Sequence, residues 1–233
     1  VCIVYQVKPS CFLSTHHTYS YLHTNTDIHT LSKINIYMSK TLEQGKAYKG
    51  FKLCNEQQYT LKTDNMRDIL KSLTHAKDKL ERPIALRYTL GLEENHSFDI
   101  NKLTRKIKSL FKDSGYSFIY SFEHAENRGL HLEMMLVVDQ KVHNPISVFD
   151  LLKKVAFKLD GVRITDDTDR KVVSLNFHER KEDYIQSTGG SKVGHSLKDE
   201  SQFIDCVYRA SYLSKQDDKD NVQYKKKFGT TTG

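Results

Sequence analysis

The chain has 233 residues, and 36 Lys and Arg against 29 Asp and Glu give a formal net charge of +7. That length is enough for a domain with its own core, and the absence of any run of about eighteen apolar residues excludes a membrane-spanning helix. None of the four cysteines forms a CxxC pair, which argues against a zinc ribbon and a disulfide scaffold. The charge balance favours a polyanionic partner, and we expect a protein of the reducing cytoplasm.

Composition divides the chain into three parts. Residues 1–37 carry only three charged side chains and no hydrophobic period, so we expect an unstructured or non-native leader. Met38 begins a segment that reads like a natural start, and residues 38–63 form an N-terminal extension. Residues 64–233 hold the regular hydrophobic patterns and are expected to form the main domain.

Hydrophobic spacing predicts alternating helices and strands over the main domain. In chain order they are a helix (64–80), a strand (84–91), a helix capped by Asp99 (99–115), two strands joined by a hairpin (116–123 and 129–139), a helix (147–159), a strand (170–177) and a last helix (199–215). A polar loop is expected over 178–198, and a basic tail ends the chain. The internal β-α-β-β-α-β order predicts an α+β, ferredoxin-like (split βαβ) antiparallel sheet. We expect the helices on one face of this sheet, with an added C-terminal helix that carries two tyrosines.

Polar side chains on the two central strands predict a metal site. His131 and Glu133 are two residues apart and therefore point to the same side of one strand, and the hairpin brings Glu123 of the preceding strand next to them. Two carboxylates and one imidazole suit Mg²⁺ or Mn²⁺ better than structural zinc. The alternative is that these are ordinary polar residues on a solvated sheet face.

The last helix offers a candidate nucleophile. Tyr208, Tyr212 and Lys215 stand at i, i+4 and i+7 and therefore share one stripe of a helix. A phenol has an ordinary pKa of about 10, so a nucleophilic tyrosine needs a nearby ammonium or metal that favours the phenolate. The alternative is an amphipathic helix with packed tyrosines and a solvated lysine.

Together, His-x-Glu on a strand and Tyr-x-x-x-Tyr-x-x-Lys on a late helix resemble the HUH endonuclease superfamily of rolling-circle replication initiators. The resemblance is closer to filamentous-phage (inovirus-type) replication proteins and their cryptic-prophage relatives. It is carried by residues 121–139 and 207–221, with Phe228-Gly229 near the end. It implies that 64–233 is an HUH-type endonuclease domain, which nicks and joins single-stranded DNA through a 5′-phosphotyrosine and so initiates rolling-circle replication.

The resemblance also implies a role for each motif residue. Glu123, His131 and Glu133 would bind Mg²⁺ or Mn²⁺, Tyr212 would attack the phosphate, Lys215 would stabilise the charge, and Tyr208 would act as a second nucleophile or simply pack. Glu133 departs from the family, which usually has His there. A carboxylate still binds a hard cation, but it equally fits an inactive copy. His178 or His195 is a possible replacement nitrogen ligand.

Basic and aromatic side chains outside these motifs are expected to contact DNA, because lysine and arginine neutralise phosphates and aromatic rings stack on bases. They are Arg87, Arg180, Lys181, Tyr184, Lys192, Lys225, Lys226 and Lys227. The expected partners are single-stranded DNA or an origin hairpin, together with a host helicase, polymerase and single-strand-binding protein, because the chain has no P-loop. The expected location is the cytoplasm of a bacterial or phage-infected cell. A nuclease-inactive DNA-binding regulator on the same fold, an RNA-binding ferredoxin-like module and a relaxase-like mobilisation protein are the alternatives.

Overall fold

A computed structural model provides the coordinates, and the predicted leader over 1–37 lies outside the residues that it describes. Those residues are 40–54, 59–167, 170–216, 219 and 222–233. Within them, no helix is both long enough and apolar enough to cross a membrane.

Ten strands and five α-helices make up the described fold. The strands are β1 (Thr41–Leu42), β2 (Leu61–Lys62), β3 (Pro83–Gly91), β4 (Tyr116–Ala125), β5 (Gly129–Asp139), β6 (Ile164–Asp167), β7 (Arg170–Val173), β8 (Leu175–His178), β9 (His195–Ser196) and β10 (Phe228–Thr232). The helices are α1 (Thr63–Lys79), α2 (Ile100–Phe111), α3 (Pro145–Ala156), α4 (Glu182–Thr188) and α5 (Glu200–Ser211), and a 3-10 turn follows α5 at Tyr212–Ser214. The side chain of Asp99 accepts backbone N–H groups and caps α2, as the sequence predicted, and the side chain of Asp199 caps α5 in the same way.

The main sheet has the strand order β10-β4-β5-β3-β8, and β9 also pairs with β3. All of these pairs are antiparallel. The order β8-β3-β5-β4 is that of a split βαβ unit, with α2 linking β3 to β4 and α3 lying between β5 and β8 along the chain. The predicted α+β class with an antiparallel, ferredoxin-like sheet is therefore confirmed.

Both faces of the sheet are covered, which differs from the expected placement of helices on one face. Alternate residues of β3, β4 and β5 pack with α2 and α3, as expected. On the other face, Ile119, Met135 and Val137 pack with α1 and α5. Apolar side chains on a solvent-exposed face of the sheet would be unfavourable. This face is therefore covered by α1 and α5. The polar site residues occupy the end of that second face, where β4 and β5 meet at their hairpin.

The C-terminal third differs from the sequence prediction in three places. The strand expected over 170–177 is two strands, of which β7 forms a hairpin with β6 and β8 joins the main sheet. The segment 178–198 contains α4 and β9 and is not a plain loop. The basic tail ends in β10, which pairs with β4 at the edge of the sheet.

Candidate active site

Strand register places the three predicted metal ligands side by side. Glu123 of β4 stands directly opposite His131 of β5, and Glu133 follows two residues later on the same side of β5. All three side chains are buried, and one ligand atom from each lies within 4.8 Å of the others. We call Glu123, His131 and Glu133 the ligand cluster. It is capable of holding a metal ion, as the spacing along the two strands predicted.

The histidine of this cluster has one ring nitrogen available. Its Nδ1 lies 2.8 Å from the carbonyl oxygen of Gly129, so Nδ1 is the donor of this bond and Nε2 is the nitrogen that faces the two carboxylates. Nε2 lies 3.8 Å from an oxygen of Glu123 and 3.8 Å from one of Glu133. Neither Nε2 nor Glu123 Oε1 has a hydrogen-bond partner among the described residues. Buried polar atoms without partners are costly, and a bound cation would satisfy both.

Glu133 is held by its neighbours. Thr89 Oγ1 donates to Glu133 Oε1 at 2.9 Å, and Arg87 Nη2 donates to Glu133 Oε2 at 3.0 Å. Burial by itself would raise the pKa of Glu133, but the charge of Arg87 and the hydrogen bond from Thr89 outweigh it and hold the pKa below its ordinary value. Glu133 is therefore an ionised carboxylate, the form that binds a hard cation.

Tyr212 brings its hydroxyl to the ligand cluster, where it donates to Glu123 Oε2 at 3.2 Å. The ring of Tyr59 meets the Tyr212 ring edge-on, at 5.7 Å between centroids. Burial first, and the charges of Glu123 and Glu133 second, raise the pKa of Tyr212 above its ordinary value, whereas Arg87 opposes the shift. The phenol is therefore neutral unless further positive charge enters the site.

The stripe expected from Tyr208, Tyr212 and Lys215 does not lie on a single helix. Tyr208 lies in α5, but Tyr212 begins the 3-10 turn and Lys215 follows it in an extended conformation. The buried Lys215 places Nζ 4.1 Å from the ring centroid of Tyr59 and 5.3 Å from that of Tyr212. The Tyr212 hydroxyl nevertheless reaches Glu123, and the structure brings Lys215 to the ring of the same tyrosine.

Sequence reasoning missed Lys219, a buried lysine next to this turn. Its Nζ donates to the carbonyl oxygen of Leu213 at 2.9 Å. Burial, reinforced by the charges of neighbouring lysines, lowers the pKa of Lys219 to about 8, although Glu123 opposes the shift. Lys219 stands four residues after Lys215, but two lysines at that spacing are also typical of a solvent-exposed helix face. The sequence therefore gave no clear indication that Lys219 is buried next to the site.

The proposed replacement ligands have other partners. His178 Nε2 lies 2.6 Å from Thr89 Oγ1, so His178 reaches Glu133 through a hydroxyl. His195 Nε2 lies 2.8 Å from Asp205 Oδ2, and Arg180 Nη2 lies 3.4 Å from the same oxygen. We call Arg180, His195 and Asp205 the α5 cluster.

The residues predicted to contact DNA fall into two groups. Arg87 and Arg180 point inward, and Arg180 donates to the carbonyl oxygens of Gly189 and Ser191. These contacts link Arg180 to the 178–198 segment and do not offer it to DNA. The remainder comprises the exposed Lys181, Lys192, Lys225 and Lys226, the half-buried Lys227, and Tyr184, which lies in α4 but whose side chain is outside the described part of the structure.

Comparison of the chain with protein-family models, with curated proteins and with solved structures found no match. The functional argument therefore depends on the geometry of the ligand cluster and Tyr212.

Proposed function

We propose that this protein nicks and rejoins single-stranded DNA at a replication origin through a covalent 5′-phosphotyrosine on Tyr212. One observation carries the proposal: the Tyr212 hydroxyl lies 3.2 Å from a carboxylate of a buried, metal-capable cluster. A nucleophile, a base and a cation site within one hydrogen bond of each other suit phosphoryl transfer. The resemblance to HUH replication initiators points to the same chemistry.

The ligand cluster supports Mg²⁺ or Mn²⁺ as the cofactor, because two carboxylates and one imidazole form a mainly hard donor set. When bound, the ion would supply Lewis-acid polarisation of the scissile phosphate. The ionised state of Glu133 supports a working site, since a carboxylate in place of the family's usual histidine still offers an anionic ligand.

Side chains of this protein carry out the phosphoryl transfer. Tyr212 Oη forms a bond to phosphorus while the bond from phosphorus to the 3′ oxygen breaks. Glu123 Oε2, which already accepts the Tyr212 hydrogen bond, takes the phenolic proton. The departing oxygen takes a proton from solvent and becomes a 3′-hydroxyl. Lys215, at the ring of Tyr212, stabilises the negative charge that develops. Rejoining is the reverse attack by a 3′-hydroxyl on the phosphotyrosine.

A nuclease-inactive DNA-binding regulator is the second candidate, and one observation favours it. Arg87 and Thr89 already bond both oxygens of Glu133, and Arg128 Nη1 lies 3.4 Å from Oε1. A carboxylate whose two oxygens already accept hydrogen bonds is less available to a cation. The RNA-binding alternative is weaker, because such modules expose sheet aromatics, whereas Phe118, Tyr120 and Phe122 of β4 are buried in the core.

The test uses a labelled library of random single-stranded oligonucleotides with Mn²⁺ and the full chain. We expect a protein–DNA adduct that survives denaturing electrophoresis, disappears with a chelator and is absent from Tyr212→Phe. Tyr208→Phe is the matched control and should still form it. An adduct formed by Tyr212→Phe and lost in Tyr208→Phe would assign the nucleophile to Tyr208. Tight DNA binding by the native chain without any adduct would favour the regulator.

A further inference from the structure

Arg87 lies against both the ligand cluster and the ring of Tyr212. Its Nη2 lies 3.0 Å from Glu133 Oε2, and its Cζ lies 4.9 Å from the centroid of the Tyr212 ring. Only 17% of the side chain is exposed, because β3 runs next to β5 and holds Arg87 on the face that carries the site. One guanidinium thus contacts both a candidate metal ligand and the candidate nucleophile.

The charges around the site show why such a contact matters. Glu123 and Glu133 place two carboxylates in a buried space, which is costly unless positive groups offset them. Burial lowers the pKa of His178, although Glu133 opposes the shift, so His178 offsets the carboxylates less than an arginine does. Arg128 also approaches Glu133, but half of its side chain is exposed and the distance is longer, 3.4 Å. The ion pair between Arg87 and Glu133 is therefore shorter and more buried than the one between Arg128 and Glu133.

Arg87 and Thr89 together fix how Glu133 is oriented. Arg87 bonds Oε2, Thr89 bonds Oε1, and Oε1 is then the oxygen that lies 3.8 Å from His131 Nε2. A planar guanidinium forms a directional pairing with a carboxylate, and a lysine in its place would not fix the plane of the carboxylate in the same way. Rotation of Glu133 would move Oε1 away from the other two ligands.

We propose that Arg87 is a positioning residue of the site, which helps to orient Glu133 for the cation, and that it is not a DNA-phosphate contact. The inference depends on the proposed function for the identity of the cation. It replaces the expectation that Arg87 belongs to the DNA-binding set.

The first experiment measures Mn²⁺ affinity by titration calorimetry in the native chain, Arg87→Gln, Glu133→Gln and the double variant. Glu133→Gln leaves Arg87 without its carboxylate next to the cation site, so we expect the Kd for Mn²⁺ to rise. Adding Arg87→Gln removes that repulsion and should recover Mn²⁺ affinity by about tenfold relative to Glu133→Gln, the size typical of coupled neighbours. Additive effects of the two substitutions would overturn the inference.

The second experiment follows the rate of adduct formation against Mn²⁺ concentration. We expect Arg87→Gln to raise the Mn²⁺ concentration that gives half of the maximal rate, because Glu133 loses its orientation, and Arg87→Lys, which keeps the charge without the planar fork, to restore only part of the shift. Lys226→Gln, on the exposed tail, is the comparison for a phosphate contact, because loss of one such contact lowers DNA affinity and reduces the slope of its salt dependence by about one. Arg87→Gln behaving only in that way would refute the positioning role.

The outcomes separate the inference from the proposed function. A native chain that binds no Mn²⁺ and forms no adduct refutes both. A native chain that binds Mn²⁺ and forms the adduct, with an unchanged Mn²⁺ dependence in Arg87→Gln, refutes the inference alone. Urea unfolding of each variant identifies any that fails to fold, and Arg87→Lys then provides the reading in place of Arg87→Gln.

Discussion

The ligand cluster and the α5 cluster each bring a histidine close to carboxylate side chains, and both are buried. In the α5 cluster, His195 Nε2 is hydrogen-bonded to Asp205 at 2.8 Å. In the ligand cluster, His131 Nε2 lies 3.8 Å from either carboxylate and bonds to neither. Arginine contacts both clusters, but Arg180 of the α5 cluster also donates to backbone carbonyls.

The difference teaches that residue type alone does not identify a site. The hydrogen bond between His195 and Asp205 leaves Nε2 of this histidine unavailable to a cation, although Asp205 Oδ1 and Arg180 Nε have no partner among the described residues, and the bond fastens the 178–198 segment to α5. A histidine and two carboxylates held just beyond hydrogen-bond distance leave lone pairs directed at a common space, which is what a cation requires. We therefore expect substitutions in the α5 cluster to change stability, and substitutions in the ligand cluster to change chemistry.

The largest expected effect is on the stability of Asp205→Ala. This change leaves Arg180, whose side chain is fully buried, without its carboxylate, and we expect the free energy of unfolding to fall by about 3–5 kcal/mol. Urea unfolding measures the loss. Glu200→Ala is the control on the same helix, because the ion pair between Glu200 and Lys77 is exposed on the Glu200 side, and it should cost about 1 kcal/mol or less. Equal losses in the two variants would contradict the structural role of Asp205.

The next effect is on cleavage by Glu123→Gln. It keeps the shape of the side chain but removes the anionic ligand and the acceptor for the Tyr212 proton, so we expect the rate of adduct formation to fall by about 100-fold or more. Single-turnover assays with Mn²⁺ measure the rate, and urea unfolding should show a much smaller loss than in Asp205→Ala. Glu126→Gln, exposed in the turn between β4 and β5, is the matched control. A rate that is unchanged in Glu123→Gln would exclude Glu123 from the reaction.

The sequence predicted the ligand cluster because strand geometry determines it. Side chains alternate along β4 and β5, and a short hairpin fixes the register, so the proximity of Glu123, His131 and Glu133 follows from their positions alone. The order of the split βαβ unit followed in the same way from the periodicity of consecutive elements. Even the covered second face had a signal, since Ile119 and Met135 are apolar residues on the face that was expected to be open.

The rest of the site could not be predicted, because it depends on contacts between residues far apart in the chain. Arg180 and Asp205 are 25 residues apart, and nothing local indicates that they pair. Arg87 and Glu133 are 46 residues apart, and a basic residue on a strand is as typical of a nucleic-acid surface as of a buried ion pair. The 3-10 turn at Tyr212 also has no periodic signature, since a regular helix fits the same residues equally well.

The smallest expected effect is a pH dependence of stability that comes from the α5 cluster. Burial is the main cause that lowers the pKa of His195 below its ordinary value; Arg209 and Arg180 add to the shift, and Asp205 opposes it. The pKa of Asp205 is also lowered, because although burial would raise it, the bonds and charges of His195 and Arg180 outweigh burial.

The sign of this dependence is the same for both residues. The unfolded chain binds a proton at His195 more readily than the folded chain, so stability decreases as the pH falls below about 6.5, and the contribution of Asp205 is lost at lower pH still. Urea unfolding near pH 7 and pH 5 should show a smaller acid-induced loss for His195→Gln than for the native chain, since glutamine does not titrate. The same loss in both proteins would mean that His195 is equally protonated in the folded and unfolded chains. Burial would then not select the neutral imidazole, and the contrast between the two clusters would depend on distance alone.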